Sequence, residues 1–124
     1  MEFNPLEIVI HTNGNKIAEI RSDDLIVNNL QDSLDLIANI SYQGINRIII
    51  EEKNIIPIFF KLSSGLAGEI LQKCVNYGIK MAIVGNFEKY KSNNLNAFII
   101  ECNLGRQFFF VDNVETAKEM LDKD

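Results

Sequence analysis

Cysteine is scarce in this sequence: the chain of 124 residues has two, Cys74 and Cys102. Two thiols are too few for a disulfide framework, and a reducing compartment keeps both as thiols. Long apolar runs are missing as well. Nothing approaches the ~18 consecutive apolar residues that cross a bilayer, and the opening MEFNPLEIVI has no basic segment ahead of an apolar one. Neither a membrane partner nor a secretory leader is therefore expected, and the cytoplasm is the expected location. Basic clusters are also few. The net charge is −5, and no basic cluster is denser than Lys89-Tyr90-Lys91, which offers phosphate backbones little to bind and sets nucleic acid aside as a partner. His11 is the only histidine, with no second His or Cys at ligand spacing, so no metal site is expected. No motif implies a cofactor. With no repeat, low-complexity tract or Pro/Gly/Ser-rich linker, residues 1–124 read as a single domain.

What the chain does contain is globular: 47% hydrophobic and 23% charged residues, near the average for folded domains. A chain of this length buries about two-thirds of the surface it exposes when unfolded. It is rich in Ile, Asn and Lys together, as an AT-rich genome produces by codon bias, so no single asparagine is given functional weight.

Near the start, LEIVIHT and KIAEI flank Asn13-Gly14, a dipeptide suited to a tight hairpin because both residues accept positive φ. The segment NNLQDSLDLIANIS then spaces Leu30, Leu34, Ile37, Ala38 and Ser41 for a helix, with Asn29 as its cap and Asp32 near its positive end. NRIIIEE, KMAIVG and QFFFVD read as strands covered on both faces. GLAGEILQKCVNYG, LNAFIIECN and VETAKEMLDKD read as helices between and after them. The order β-β-α-β-α-β-α-β-α predicts an α/β fold with a mixed sheet of about five strands, a parallel centre, an antiparallel N-terminal hairpin and about four helices.

In the GLAGEILQKC helix, Leu66, Ala67, Ile70, Leu71, Cys74 and Val75 share one half of the wheel, opposite Glu69, Gln72, Lys73 and Asn76. Cys74 is thus expected to be a buried small hydrophobe, and Cys102, in step with Leu95, Phe98 and Ile99, likewise. At the helix entrance, Ser63 or Ser64 can cap unpaired backbone N–H groups, and the same positive helix end suits a phosphate, bound or attached. Ahead of it lie Ile55, Ile56, Pro57, Ile58, Phe59, Phe60 and Leu62, more apolar than a solvated loop tolerates. Either they lid the core or they form a contact surface with a protein partner or a second copy of the chain.

The stretch SSGLAGEILQKCVNYGIKMAIVG resembles the central segment of STAS domains, the family of bacterial anti-sigma-factor antagonists. That resemblance implies a STAS-like fold, with Ser63 at the regulatory phosphoserine position and Ser64, Gly65 and Leu66 completing the motif. Leu62 stands where that family carries an acidic residue, and the connection from Ile50 to Ser63 is a few residues longer. More closely, ANISYQGINRIIIEEKNI followed by FFKLSSGLAGEILQKCVNYGIKMAIVGNF resembles a small bacterial family known only as domain of unknown function 4180. This resemblance spans the full length and implies no established activity.

Ligand sites in parallel sheets gather beyond the carboxyl ends of the strands, which here supply Glu51, Glu52, Asn86 and Asp112. Adjacent residues on an extended chain point to opposite sides, so Glu51 and Glu52 read as one exposed and one paired carboxylate rather than an acid–base pair, and their amide substitutions are expected to leave folding intact. His11 reads as an exposed strand-end residue. The expectation is a non-catalytic regulatory or protein-interaction module, controlled at Ser63 and with no catalytic residue. The alternative is a small-ligand-binding protein or enzyme using a cleft near Glu51, Glu52, Ser63, Ser64 and Asn86. Phe59, Phe60 and Gly65 join the residues expected to meet a partner or ligand.

Overall fold

A computed structural model describes residues 7–12 and 14–123 of the chain. In chain order the elements are β1 (Glu7–His11), β2 (Ile17–Arg21), α1 (Leu30–Tyr42), β3 (Arg47–Glu51), α2 (Leu66–Asn76), β4 (Lys80–Val84), α3 (Asn93–Leu104), β5 (Phe108–Val111) and α4 (Val114–Asp122). The sheet order is β1-β2-β3-β4-β5, with β1 antiparallel to β2 and the remaining neighbours parallel. This is the mixed five-stranded α/β architecture expected from the periodicity. Asn13, half of the expected turn dipeptide, lies outside the described residues. Among the described residues no helix is long and apolar enough to cross a membrane.

Strand order follows chain order, so successive right-handed crossovers set α1, α2 and α3 on one face of the sheet. The alternation of side chains along β3 shows the result. Ile48 and Ile50 pack with Ile37, Ile40, Ala67 and Ile70 in the larger core, while Ile49 packs with Ala117 and Leu121 of α4 in a smaller core behind the sheet. The central residues of β3 and β4 and all of β5 are apolar because both faces are covered.

Local chemistry sets the helix ends. The Asn29 side chain accepts from the Asp32 N–H at 2.8 Å, Ser92 from Leu95 at 3.1 Å and Asn113 from Thr116 at 2.7 Å, each satisfying a donor left open in a first turn.

The connection from β3 to α2 is three short 3₁₀ turns, Glu52–Asn54, Pro57–Phe60 and Leu62–Ser64. Asn54 holds it in place. Fully buried, it accepts from the Glu51 N–H at 3.2 Å and donates to the carbonyls of Ser22 at 2.8 Å and Asp24 at 2.9 Å. Ile55, Phe59 and Phe60 then turn inward, exposed by 4%, 1% and 3%. The apolar stretch is therefore a lid on the core, and each fully buried side chain contributes about 1.5–3 kcal/mol. Phe59 and Phe60, expected as partner contacts, are core residues in this structure; Pro57 and Ile58 are the exposed apolar members of the stretch.

Candidate functional site

The carboxyl ends of β3 and β4 lie side by side, with Glu51 in register with Val84, which brings Glu52 against Gly85 and Asn86. A side chain on Gly85 would collide with Glu52, since a Cβ there would stand 2.6 Å from both Cβ and Oε1 of Glu52. The close approach lets the Asn86 N–H donate to Glu52 Oε1 at 3.3 Å. The other carboxylate oxygen of Glu52 receives Lys89 Nζ at 2.7 Å and the hydroxyl of Tyr90. Burial, reinforced by the Glu52 carboxylate, pushes the Tyr90 hydroxyl well above its ordinary pKa, so it stays a donor across the working range. The Tyr90 ring stacks on Phe60 with centroids 4.8 Å apart, and Phe60 meets Phe59 edge-on at 4.9 Å.

Glu52 is thus a buried carboxylate with three donors, and it ties the β3 end to the turn after β4. Glu51 points elsewhere, is 40% exposed and pairs with Lys53 at 3.2 Å. The two carboxylates do not converge on a common point, so they form no acid–base pair. Sequence reasoning picked out Glu52 and Asn86 but missed Lys89 and Tyr90 as their partners. Adjacency of the β3 and β4 ends was the available signal.

Ser63 and Ser64 lie in the 3₁₀ turn that precedes α2 rather than in the first turn of α2. Gly65 stands between, at φ +83°, a left-handed conformation that favours glycine. Ser64 Oγ donates to the Ile58 carbonyl at 2.9 Å and accepts from the Leu66 N–H at 3.3 Å, so it fastens the lid to the helix start. Ser63 is exposed. It lines an open depression of about 490 Å³ with Ile58, Phe60, Lys61, Leu62 and Tyr90 among its neighbours. Asn86 lines a different depression, of about 910 Å³, beyond the ends of β4 and β5, with Phe87, Asn96, Asp112 and Thr116. Of the five residues of the expected cleft, Asn86 and Ser63 therefore line two different depressions, and Glu51, Glu52 and Ser64 line neither.

His11 departs from the exposed strand-end reading. Its Nε2 lies 2.8 Å from Glu19 Oε1, and Arg21 meets the same carboxylate at 3.1 Å. Burial of Glu19 favours its neutral form, but the hydrogen bonds from Arg21 and His11 outweigh it and hold the carboxyl below its ordinary pKa. His11 borders a depression with α4 residues Glu115, Lys118 and Glu119, whereas Ser63 adjoins the α2 side, so the fold does not join them as base and nucleophile. Both thiols are free. Cys74 is fully buried, as expected; Cys102 is only half-buried, because α3 covers the sheet edge with one face open.

Fold and site together define a small α/β domain with a sequentially ordered, largely parallel sheet and a fully partnered carboxylate at its carboxyl edge. The chain belongs to the family described as domain of unknown function (DUF4180), whose match covers residues 12–121. No curated protein and no solved structure matched the chain.

Proposed function

We propose that this domain is a non-catalytic regulatory or protein-interaction module of STAS-like topology, controlled at Ser63. The observation that carries the reading is the contrast between two neighbouring serines. Ser64 commits its hydroxyl to the Ile58 carbonyl and the Leu66 N–H, while Ser63 is exposed on the turn that this fastening holds. A phosphate on Ser63 would bring close to two negative charges beside the exposed Pro57 and Ile58, and desolvating it would weaken an apolar contact there.

Two further features support binding over catalysis. Ligand crevices in open parallel sheets form where strand order reverses, and among the described residues the order β1-β2-β3-β4-β5 never reverses. The buried carboxylate nearest the expected cleft, Glu52, is already held by Asn86, Lys89 and Tyr90. The small-ligand alternative rests on the 910 Å³ depression bordered by Asn86, Asn96 and Asp112. The test is to recover the tagged protein at native expression as wild type, Ser63→Ala and Ser63→Asp, and to measure its intact mass and what accompanies it. A protein companion retained by Ser63→Ala and lost from Ser63→Asp supports regulation at Ser63. A bound small molecule common to all three supports the alternative.

A further inference from the structure

Acidic residues outnumber basic ones in this chain, 17 to 12, yet three cations share one depression. It has a volume of about 310 Å³ and lies at the amino ends of β4 and β5, at the opposite end of the sheet from Ser63. Lys80 opens β4, Arg106 stands in the turn between α3 and β5, and Lys123 follows α4. Among the described residues no carboxylate lines it. Its apolar wall is Leu104, Phe109 and Met120. Phe109 is buried in the core behind the sheet and Met120 packs against that core, while Leu104 is 83% exposed.

The end of α4 accounts for part of this charge. Arg47 Nε donates to the Leu121 carbonyl, and Lys80 Nζ donates to the Lys123 carbonyl at 2.9 Å, so both meet the negative end of that helix. An ammonium has three donors, which leaves Lys80 with two more. The helix end does not account for Arg106, which is exposed on a separate turn. None of the ion pairs among the described residues includes Lys80, Arg106 or Lys123. Cations gathered around an apolar wall repel one another and focus a positive field into the space between them. An anion placed there relieves the repulsion.

We infer that this depression binds a small amphipathic oxyanion, a carboxylate or phosphate monoester on a short apolar body. The head group would meet Arg106, whose planar fork of donors matches either oxyanion, with Lys80 and Lys123 beside it. The body would cover Leu104 and Met120, which the fold leaves partly open. The volume is at the small end of ligand pockets, which run from about 300 to 1,000 Å³. This site is independent of any role of Ser63.

The test is an NMR titration of the labelled protein with hexanoate, hexyl phosphate, acetate and hexylamine. Hexanoate or hexyl phosphate is expected to shift the amides of Lys80, Leu104, Arg106 and Lys123 saturably. Binding of only one of the two supports the inference and names the head group. Acetate, without the apolar body, is expected to bind at least about tenfold more weakly than hexanoate, and hexylamine to leave these amides unmoved. Arg106→Gln, with circular dichroism as the check on folding, is expected to weaken anion binding about tenfold through the loss of a charge-assisted hydrogen bond. No saturable shift with either six-carbon anion, shifts centred elsewhere, hexylamine binding as well as the anions, or unchanged affinity in folded Arg106→Gln would overturn the inference.

Discussion

The Tyr90 hydroxyl donates to the Glu52 carboxylate, joining two residues 38 apart in the chain. Lys89 and the Asn86 N–H complete the set, so the carboxylate is the knot between the β3 and β4 ends. Glu52→Ala strands these donors and is expected to lower stability by about 1–3 kcal/mol. Tyr90→Phe leaves Glu52 two donors and is expected to cost about 0.5–1.5 kcal/mol. Urea denaturation of both variants checks this. The expectation that Glu52→Gln leaves folding intact concerns a milder change, and the buried position and three donors of Glu52 argue against it as well.

Gly85→Ala is expected to destabilise by about 1–3 kcal/mol, because the added Cβ would stand 2.6 Å from Glu52. In combination with Glu52→Ala, which removes Oε1 and keeps Cβ, the loss is expected to fall short of the sum, since both changes act at one contact. A double-mutant cycle measures the coupling, and strictly additive losses would place the effect elsewhere.

Much of this fold is legible in the sequence because burial dictates it. The central residues of RIIIE and KMAIV and all of FFFV are apolar, so each had to lie between covering layers, and the cap at Asn29 carries the expected chemistry. The site is less legible because its bonds are long-range and polar. Treating asparagine as a product of codon bias hid Asn54, which stitches residues 22–24 to the β3 end, and Asn103, which closes Phe110. Asn54 also closes a capping box with Glu51, but its bonds to residues 22–24 and those of Asn103 to Phe110 follow no local sequence pattern. Phe59 and Phe60 were ambiguous for another reason: hydrophobicity shows that a stretch must be covered, and only the turns at Glu52–Asn54 and Pro57–Phe60 decide that the chain covers these two itself.

The two thiols are expected to differ in native labelling. Burial pushes Cys74 up to about 12, so it reacts only on unfolding. Cys102 is half-buried and raised to about 11, by burial first and by Glu101 second, so it reacts slowly at neutral pH and about tenfold faster for each unit that pH rises toward that value. Mass spectrometry after timed alkylation assigns the sites. Rapid modification of Cys74 in the folded protein would contradict the packing of α2.

Glu19 makes stability depend on acid. Its folded-state carboxyl lies below the ordinary 4.5, held there against burial by Arg21 and His11. The resulting stabilisation is complete above the ordinary value and is lost as pH falls through the lowered one. Glu19→Gln is therefore expected to be less stable than wild type at pH 7 and to lose less on acidification. Denaturation midpoints between pH 7 and pH 3 test the sign, and parallel curves for the two proteins would remove Glu19 from the acid response.

The central claim is that Ser63 governs an association. Its most direct measurement is quantitative recovery of companions with wild type, Ser63→Ala and Ser63→Asp from the native host, alongside the phosphate content at Ser63. The expected result is one protein companion bound by wild type and Ser63→Ala, reduced at least about tenfold in Ser63→Asp, with phosphate on Ser63 in the unbound wild-type fraction. Identical companions from all three proteins, with no phosphate on Ser63 in either fraction, would contradict it.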